Sequence, residues 1–420
     1  MKKFWCLFLI ALILVGCAPE PDAPIAFVTA MPTAQTAAAT LPPETPAPSE
    51  APTEPPTDTP SPAPTLSPEE RLMRYVEAMP YGEKIGQLCM FGFSGTKTVS
   101  DTFAEILNTY HIGSVILYGQ NISRTNADGG FAQCRALSDS VRAASDSGIP
   151  LLISTDVEGG RVTRFRWKKT LLSARTLGKK NDAALAAEQF QTVAEGLLRA
   201  GINVDLAPCL DICKNPDESF LYKRILSSDA SVASGIGAAC IEGLHAGGCL
   251  SIVKHFPGHG ATNTDSHDAT PTVSKSLDAL KSYELVPFAA ALETADGVMV
   301  AHILYPEIDA DRIASQSEVF ITGLLRETYG FSGIVMSDDF RMAGLRKQSA
   351  LKDAAVQFIL AGGDLILCGA NHSYQKQILE GLYAAAEDGT ISEARLNESV
   401  YRILSAKMRV TGWDPFDGND

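Results

Sequence analysis

Eight short apolar runs, spread between residues 88 and 369, limit most strongly what this chain can fold into. They read "LCMFGF" (88–93), "SVILYG" (114–119), "LLISTDVE" (151–158), "NVDLAPC" (203–209), "SIVKHF" (251–256), "GVMVAHI" (297–303), "GIVMSDD" (333–339) and "DLILCG" (364–369). The runs do not alternate between apolar and polar residues. Continuous apolarity is the mark of strands covered on both faces, as in a parallel sheet wrapped by helices. Helical stretches separate them, such as "DAALAAEQFQTVAEGLLRAG" (182–201), where Gly201 suits a helix end. Eight strands alternating with helices predict an α/β fold, a single (β/α)8 TIM-type barrel over 69–415. An open doubly wound sheet would need a phosphate-binding glycine loop after the first strand, and "GFSGTKT" is a poor one.

What precedes the barrel is of another kind. Lys2 and Lys3 are followed by an apolar run from Phe4 to Val15, too short for the roughly 20 residues that span a bilayer. The run ends in Leu14-Val15-Gly16-Cys17, which resembles a bacterial lipobox. Residues 1–16 are therefore expected to be a lipoprotein signal peptide, with Cys17 the lipidated residue that holds the protein on the outer side of a bacterial cell membrane. Residues 17–68 are rich in Pro, Thr and Ala with almost no large apolar residues. Such a stretch cannot bury enough surface to offset its ordering entropy, so a disordered, semi-extended tether is expected. The formal net charge of −14 disfavours nucleic acid and anionic membrane surfaces as partners. Seven cysteines (89, 134, 209, 213, 240, 249, 368) are scattered through the barrel and read as buried thiols. Cys209 and Cys213 have no second cysteine pair or neighbouring histidine in sequence to complete a zinc site.

A barrel of this type carries its chemistry at the C-terminal ends of its strands. Polar residues stand at those ends: Asp156 and Glu158, Asp211, Lys254 and His255, His302, and Ser337-Asp338-Asp339. Together they predict a site for a polar, sugar-like ligand. Of the seven histidines, three fall in "KHFPGHGATNTDSHD" (254–268), where Pro257, Gly258 and Gly260 predict an irregular loop over the barrel mouth. Asp265 and His267 are two residues apart, so in an extended segment their side chains would share a side. A carboxylate beside an imidazole sets its tautomer and favours its charged form, as a general acid/base requires. His255, His259, Asp265 and His267 are also metal-ligand types. The first strand, however, lacks a His-x-His pair and Lys254 would repel a cation, so no metal is expected. His259, between two glycines, suits a bracing role. Asp338 and Asp339 leave two readings open: one carboxylate in the cavity, or caps for the helix that follows.

The stretch "KHFPGHGATNTDSH", with "TDVEGGRVTRF" (155–165) and "IVMSDD" (334–339), resembles glycoside hydrolase family 3, in its bacterial β-N-acetylglucosaminidase (β-hexosaminidase) branch, and the likeness runs from about 70 to 412. The resemblance implies that His267 is the acid/base, with Asp265 its dyad partner and Asp338 the nucleophile. It implies sugar contacts from Asp156, Arg164, Arg224, Lys254 and His255. Two positions depart from the pattern: Val157 stands where a polar residue is common, and Lys223-Arg224-Ile225-Leu226 where Glu-Arg-Ser-Phe is usual. Glucosidase and xylosidase members take their acid/base carboxylate from a second domain, and none is expected in a chain ending at Asp420. The implied activity is a retaining, exo-acting β-N-acetylglucosaminidase, a monomer without cofactor, acting on N-acetylglucosamine-containing glycans such as those of the cell wall. Phosphorolysis, a β-glucosidase activity and a non-catalytic tethered sugar-binding protein stay open as alternatives.

Overall fold

The computed structural model describes residues 66–262 and 264–416. The chain divides into two units, Met1–Ala63 and Pro64–Asp420, and the described residues all belong to the second. The expected signal peptide, Cys17 and residues 17–65 of the expected tether lie outside the described residues. The described residues begin just ahead of the expected barrel start. Ser67 caps helix Pro68–Ala78 by accepting from the Glu70 N–H, while Glu70 reaches back to the Ser67 N–H.

All eight apolar runs form strands, each shorter than its run except β5, which begins one residue earlier. In order they are β1 (Cys89–Gly92), β2 (Ser114–Ile116), β3 (Leu152–Thr155), β4 (Val204–Asp205), β5 (Leu250–Phe256) and β6 (Gly297–Val300). A small antiparallel pair, β7 (Leu304–Tyr305) and β8 (Asp309–Ile313), intervenes before β9 (Ile334–Ser337) and β10 (Ile366–Cys368). Parallel pairing runs β10-β1-β2-β3-β4-β5-β6-β9. The ring is completed where Met336 bridges Leu365 and the Ser337 N–H donates to the Leu365 carbonyl at 3.0 Å. The predicted barrel is present.

Side-chain alternation explains why the runs are apolar throughout. One set of residues points inward: Met90, Ile116, Leu152, Val204, Ile252, Met299, Ile334 and Leu367 fill the barrel, and Ile403 and Ala406 of the last helix (Glu393–Thr411) join them. The other set packs outward against the helices in one continuous shell. Helix Ala183–Arg199 shows the pairing of sequence and place. Ala186, Phe190, Val193 and Leu197 recur at helical spacing and are buried, Asp182 caps the start, and Gly201 takes the left-handed conformation just past the end. Among the described residues no helix is long and apolar enough to cross a membrane.

Candidate active site

The strand ends converge on one cavity of about 290 Å3. Its apolar base is made by Ile116, Leu206, Met299 and Leu367, which also belong to the barrel filling. Asp156, Arg164, Arg224, Lys254, His255, Asp265, His267 and Asp338 all line it. The fold therefore gathers the eight residues to which the resemblance gives a role, while Asp211, His302 and Ser337, also named at strand ends, are buried off the cavity lining.

Along one wall runs a chain of alternating charge. Lys254, buried on β5, places its ammonium 2.7 Å from Asp156 and 2.8 Å from Glu158. Arg164 donates to the other Asp156 oxygen at 2.7 Å. Arg224 grips Glu158 with two bonds of 2.8 and 2.9 Å, and its Nη2 lies 3.4 Å from His255 Nε2. His255 Nδ1 is 2.6 Å from Asp211. The Asp211 carboxylate has lone pairs only, so Nδ1 carries a proton and donates to it. Burial alone would raise these carboxyls. The cations outweigh it, holding Asp156 at about 2 and Glu158 well below the usual carboxylate range. Burial likewise works against the Lys254 ammonium, and the two carboxylates more than reverse it. Arg164 holds a left-handed backbone, φ 48°, which a non-glycine residue adopts only where its surroundings enforce it.

Asp338 follows β9 with a different environment. Its N–H donates to the Val300 carbonyl at 3.0 Å and its Oδ1 accepts the Asp339 N–H at 2.8 Å. Among the described residues no lysine or arginine pairs with it. Burial pushes its carboxyl up, but the nearby rings of His255 and His302 and the Asp339 N–H hold it below the ordinary value. The neighbouring Asp339 is engaged fully: Tyr118 donates at 2.8 Å, Arg341 at 2.7 Å and the Gly369 N–H at 3.2 Å. The doublet therefore divides, one carboxylate facing the cavity without a cation and the other locked into its wall.

Over the mouth lies the loop from Pro257 to Asp268. It sits directly on the segment after β4: a side chain at Gly260 would meet the Ile212 carbonyl at 2.3 Å, which only glycine avoids. His259 is buried, with Nε2 2.7 Å from the Ser266 hydroxyl and its ring edge-on to Phe220 at 4.9 Å. Burial, then the His255 ring, pushes its imidazole down to about 4. Asp265 and His267 do pair, Oδ1 to Nδ1 at 2.7 Å, and are largely open to solvent. The pairing geometry differs from the extended one expected. Asp265 also accepts the His267 N–H at 2.9 Å, and its carbonyl accepts the Asp268 N–H, so a tight turn brings the side chains together. Burial raises the Asp265 carboxyl, and the His267 N–H and ring more than offset this.

One expectation needs correction. No histidine adjoins Cys209 in sequence, yet the fold places His255 beside it. Cys209, Asp211 and His255 offer ligand atoms within 4.8 Å of one another. These atoms already satisfy each other: the Cys209 thiol donates to Asp211 at 3.3 Å, and burial together with that charge pushes the thiol well up. The trio fits a neutral thiol in a hydrogen-bonded cluster rather than a thiolate metal ligand. Sequence reasoning named Glu158, Asp211 and Asp339 at strand ends without giving their contacts, and left Tyr118 and Arg341 without roles in the site. Glu158 and Asp211 carried the same signal as their neighbours, a polar residue at an apolar run's end. Tyr118 and Arg341 carried none.

The molecule can be compared with known proteins on this basis. The family description "Glycosyl hydrolase family 3 N terminal domain" matches residues 81–406. A beta-hexosaminidase of Tolumonas auensis is 35% identical over 283 residues, which is 66% of this chain and 81% of the relative. Beta-hexosaminidase A of Pseudoalteromonas piscicida is 29% identical over 340 residues, 74% of this chain, and the match spans only 56% of that protein's length. The structure of a glycoside hydrolase family 3 beta-N-acetylglucosaminidase from Paenibacillus sp. superposes with a TM-score of 0.75 at 37% identity, covering 79% of this chain and 63% of that one. The matched region takes in every strand of the barrel and every residue lining the cavity, and this chain belongs to glycosyl hydrolase family 3, in its bacterial hexosaminidase branch.

Proposed function

We propose that the protein is a retaining, exo-acting β-N-acetylglucosaminidase. The observation that carries this reading is the sharing of one cavity by Asp338, a carboxylate free of cation partners, and the Asp265–His267 dyad. Asp338 attacks the anomeric carbon. His267 gives its proton to the departing glycosidic oxygen as that bond breaks. Water, losing its proton to His267, then displaces Asp338 and releases the sugar with its original configuration. A carboxylate paired with a lysine would be a weaker nucleophile, and Asp338 has none. The alternating chain from Arg164 to Asp211 offers fixed donors and acceptors for sugar hydroxyls, Asp156 and Lys254 at its centre. We further propose that Cys17 carries a lipid and residues 17–68 tether the barrel outside the membrane, close to cell-wall glycan. The hexosaminidase names of the relatives support the substrate class.

The test is turnover of an aryl β-N-acetylglucosaminide against the matching β-glucoside and β-xyloside. The first should be hydrolysed best, and Asp338→Ala should abolish its turnover. An unchanged rate in that variant refutes the nucleophile, and a preference for the glucoside refutes the substrate.

A further inference from the structure

A second cavity, outside the site, has a chemistry the proposed reaction does not use. It is a groove of about 620 Å3 on the outer side of the same β3 loop that carries Arg164 inward. Half-buried Phe131, Trp167, Leu172 and Leu185 line it with the buried Leu171. The aromatic wall is constructed rather than incidental. Phe131 stacks on Phe165 at 4.6 Å and meets Trp167 edge-on at 5.0 Å. Trp167 reaches so close to helix Ala183–Arg199 that a side chain at Gly196 would clash with its ring at 2.6 Å. The indole N–H is satisfied internally by the Thr163 carbonyl at 3.2 Å, leaving the ring face as an apolar surface.

Arg166, Lys168, Lys169 and Arg199, all exposed, border these apolar residues without an ion pair among the described residues; Arg166 donates to the Asn126 and Ala127 carbonyls, and Arg199 lies over the Phe131 ring at 5.1 Å. Two carboxylates also line the groove. Asp128 accepts the Gly130 and Ala132 N–H groups and stays charged beside Arg166, so two carboxylates, Asp128 and Glu188, stand against four cations. Unpaired cations around an apolar groove are unexpected on a chain of net charge −14. An apolar floor with a cationic rim is complementary to an amphiphile with an anionic head.

We propose that this groove binds a single-chain anionic amphiphile, of the fatty-acid class, with its chain on Phe131, Trp167, Leu172 and Leu185 and its carboxylate among Arg166, Lys168, Lys169 and Arg199. The site is separate from the sugar cavity, so its test does not depend on the activity proposed above.

Laurate, below its micelle concentration, is titrated into the full-length protein while tryptophan fluorescence is read. A saturable change is expected, absent in Trp167→Phe. The triple variant K168E/K169E/R199E should weaken binding about 10-fold or more, since each exposed pair contributes modestly. Circular dichroism and the urea-unfolding midpoint serve as the check that this variant is folded. Dodecanol, with the same chain and no charge, should bind at least several-fold more weakly. The proposal is overturned by no saturable change, by equal affinity for laurate and dodecanol, or by undiminished affinity in the triple variant. Binding to anionic vesicles without binding of monomeric laurate also overturns it, in favour of a bilayer surface.

Discussion

His259 makes the stability of the fold depend on pH in a predictable direction. Its imidazole is displaced from the ordinary 6.5 down to about 4 because it is buried and lies beside another histidine ring. Between those two values the unfolded chain binds a proton that the folded chain refuses. Stability therefore falls as pH drops through 6.5 and goes on falling until the folded form also titrates near 4. A displacement of this size corresponds to about 3 kcal/mol lost between pH 7 and pH 4. The assay is urea unfolding of the wild type and of His259→Gln at several pH values. The glutamine keeps an amide near Ser266 and carries no titratable group. The variant should be less stable at pH 7, and the gap should close by about 3 kcal/mol on going to pH 4. The Asp156 carboxyl, held at about 2, loses its contribution only below the ordinary carboxylate value of 3.8 and so does not mask the effect. Parallel stability curves for the two proteins would refute the reasoning.

Other expectations follow from the same geometry. His267→Ala should slow natural glycans by about 10²- to 10⁴-fold, the worth of general acid catalysis, and slow substrates with good leaving groups far less; equal losses count against the acid role. Asp211→Asn removes the carboxylate that fixes His255 and should cost about 5- to 150-fold in kcat/KM, as for a buried polar partner lost, and a rate within two-fold of wild type would show that His255 needs no such orientation. Gly260→Ala forces the loop off Ile212 and should destabilise by about 1–3 kcal/mol in thermal or urea unfolding. A chelator should leave turnover unchanged, since Cys209, Asp211 and His255 satisfy one another without an ion.

The barrel was legible because strands covered on both faces must be apolar throughout, and each run kept that pattern. All strands but β5 proved shorter than their runs, as at β3, where Asp156 and Glu158 leave the ladder to enter the cavity. The site was legible in its parts, as polar residues at five of the eight strand ends. Its connections were not. Asp211 meets His255 across two neighbouring strands, and Tyr118 meets Asp339 across most of the sequence; no local spacing encodes either contact. The Asp265–His267 pair was read from spacing alone, yet the turn that makes it arises from the Asp265 carboxylate capping its own backbone.

The closed interior of the barrel has a kinetic consequence. Ile116, Leu206, Met299 and Leu367 seal the cavity from below, and Ile403 and Ala406 of the last helix lie in the same packed interior. The pocket is a cul-de-sac, so whatever enters must leave by the same opening. For the proposed reaction, the freed sugar blocks the next chain end until it departs. Free N-acetylglucosamine should then act as a competitive inhibitor, and its escape past the Asp265–His267 loop sets a ceiling on turnover.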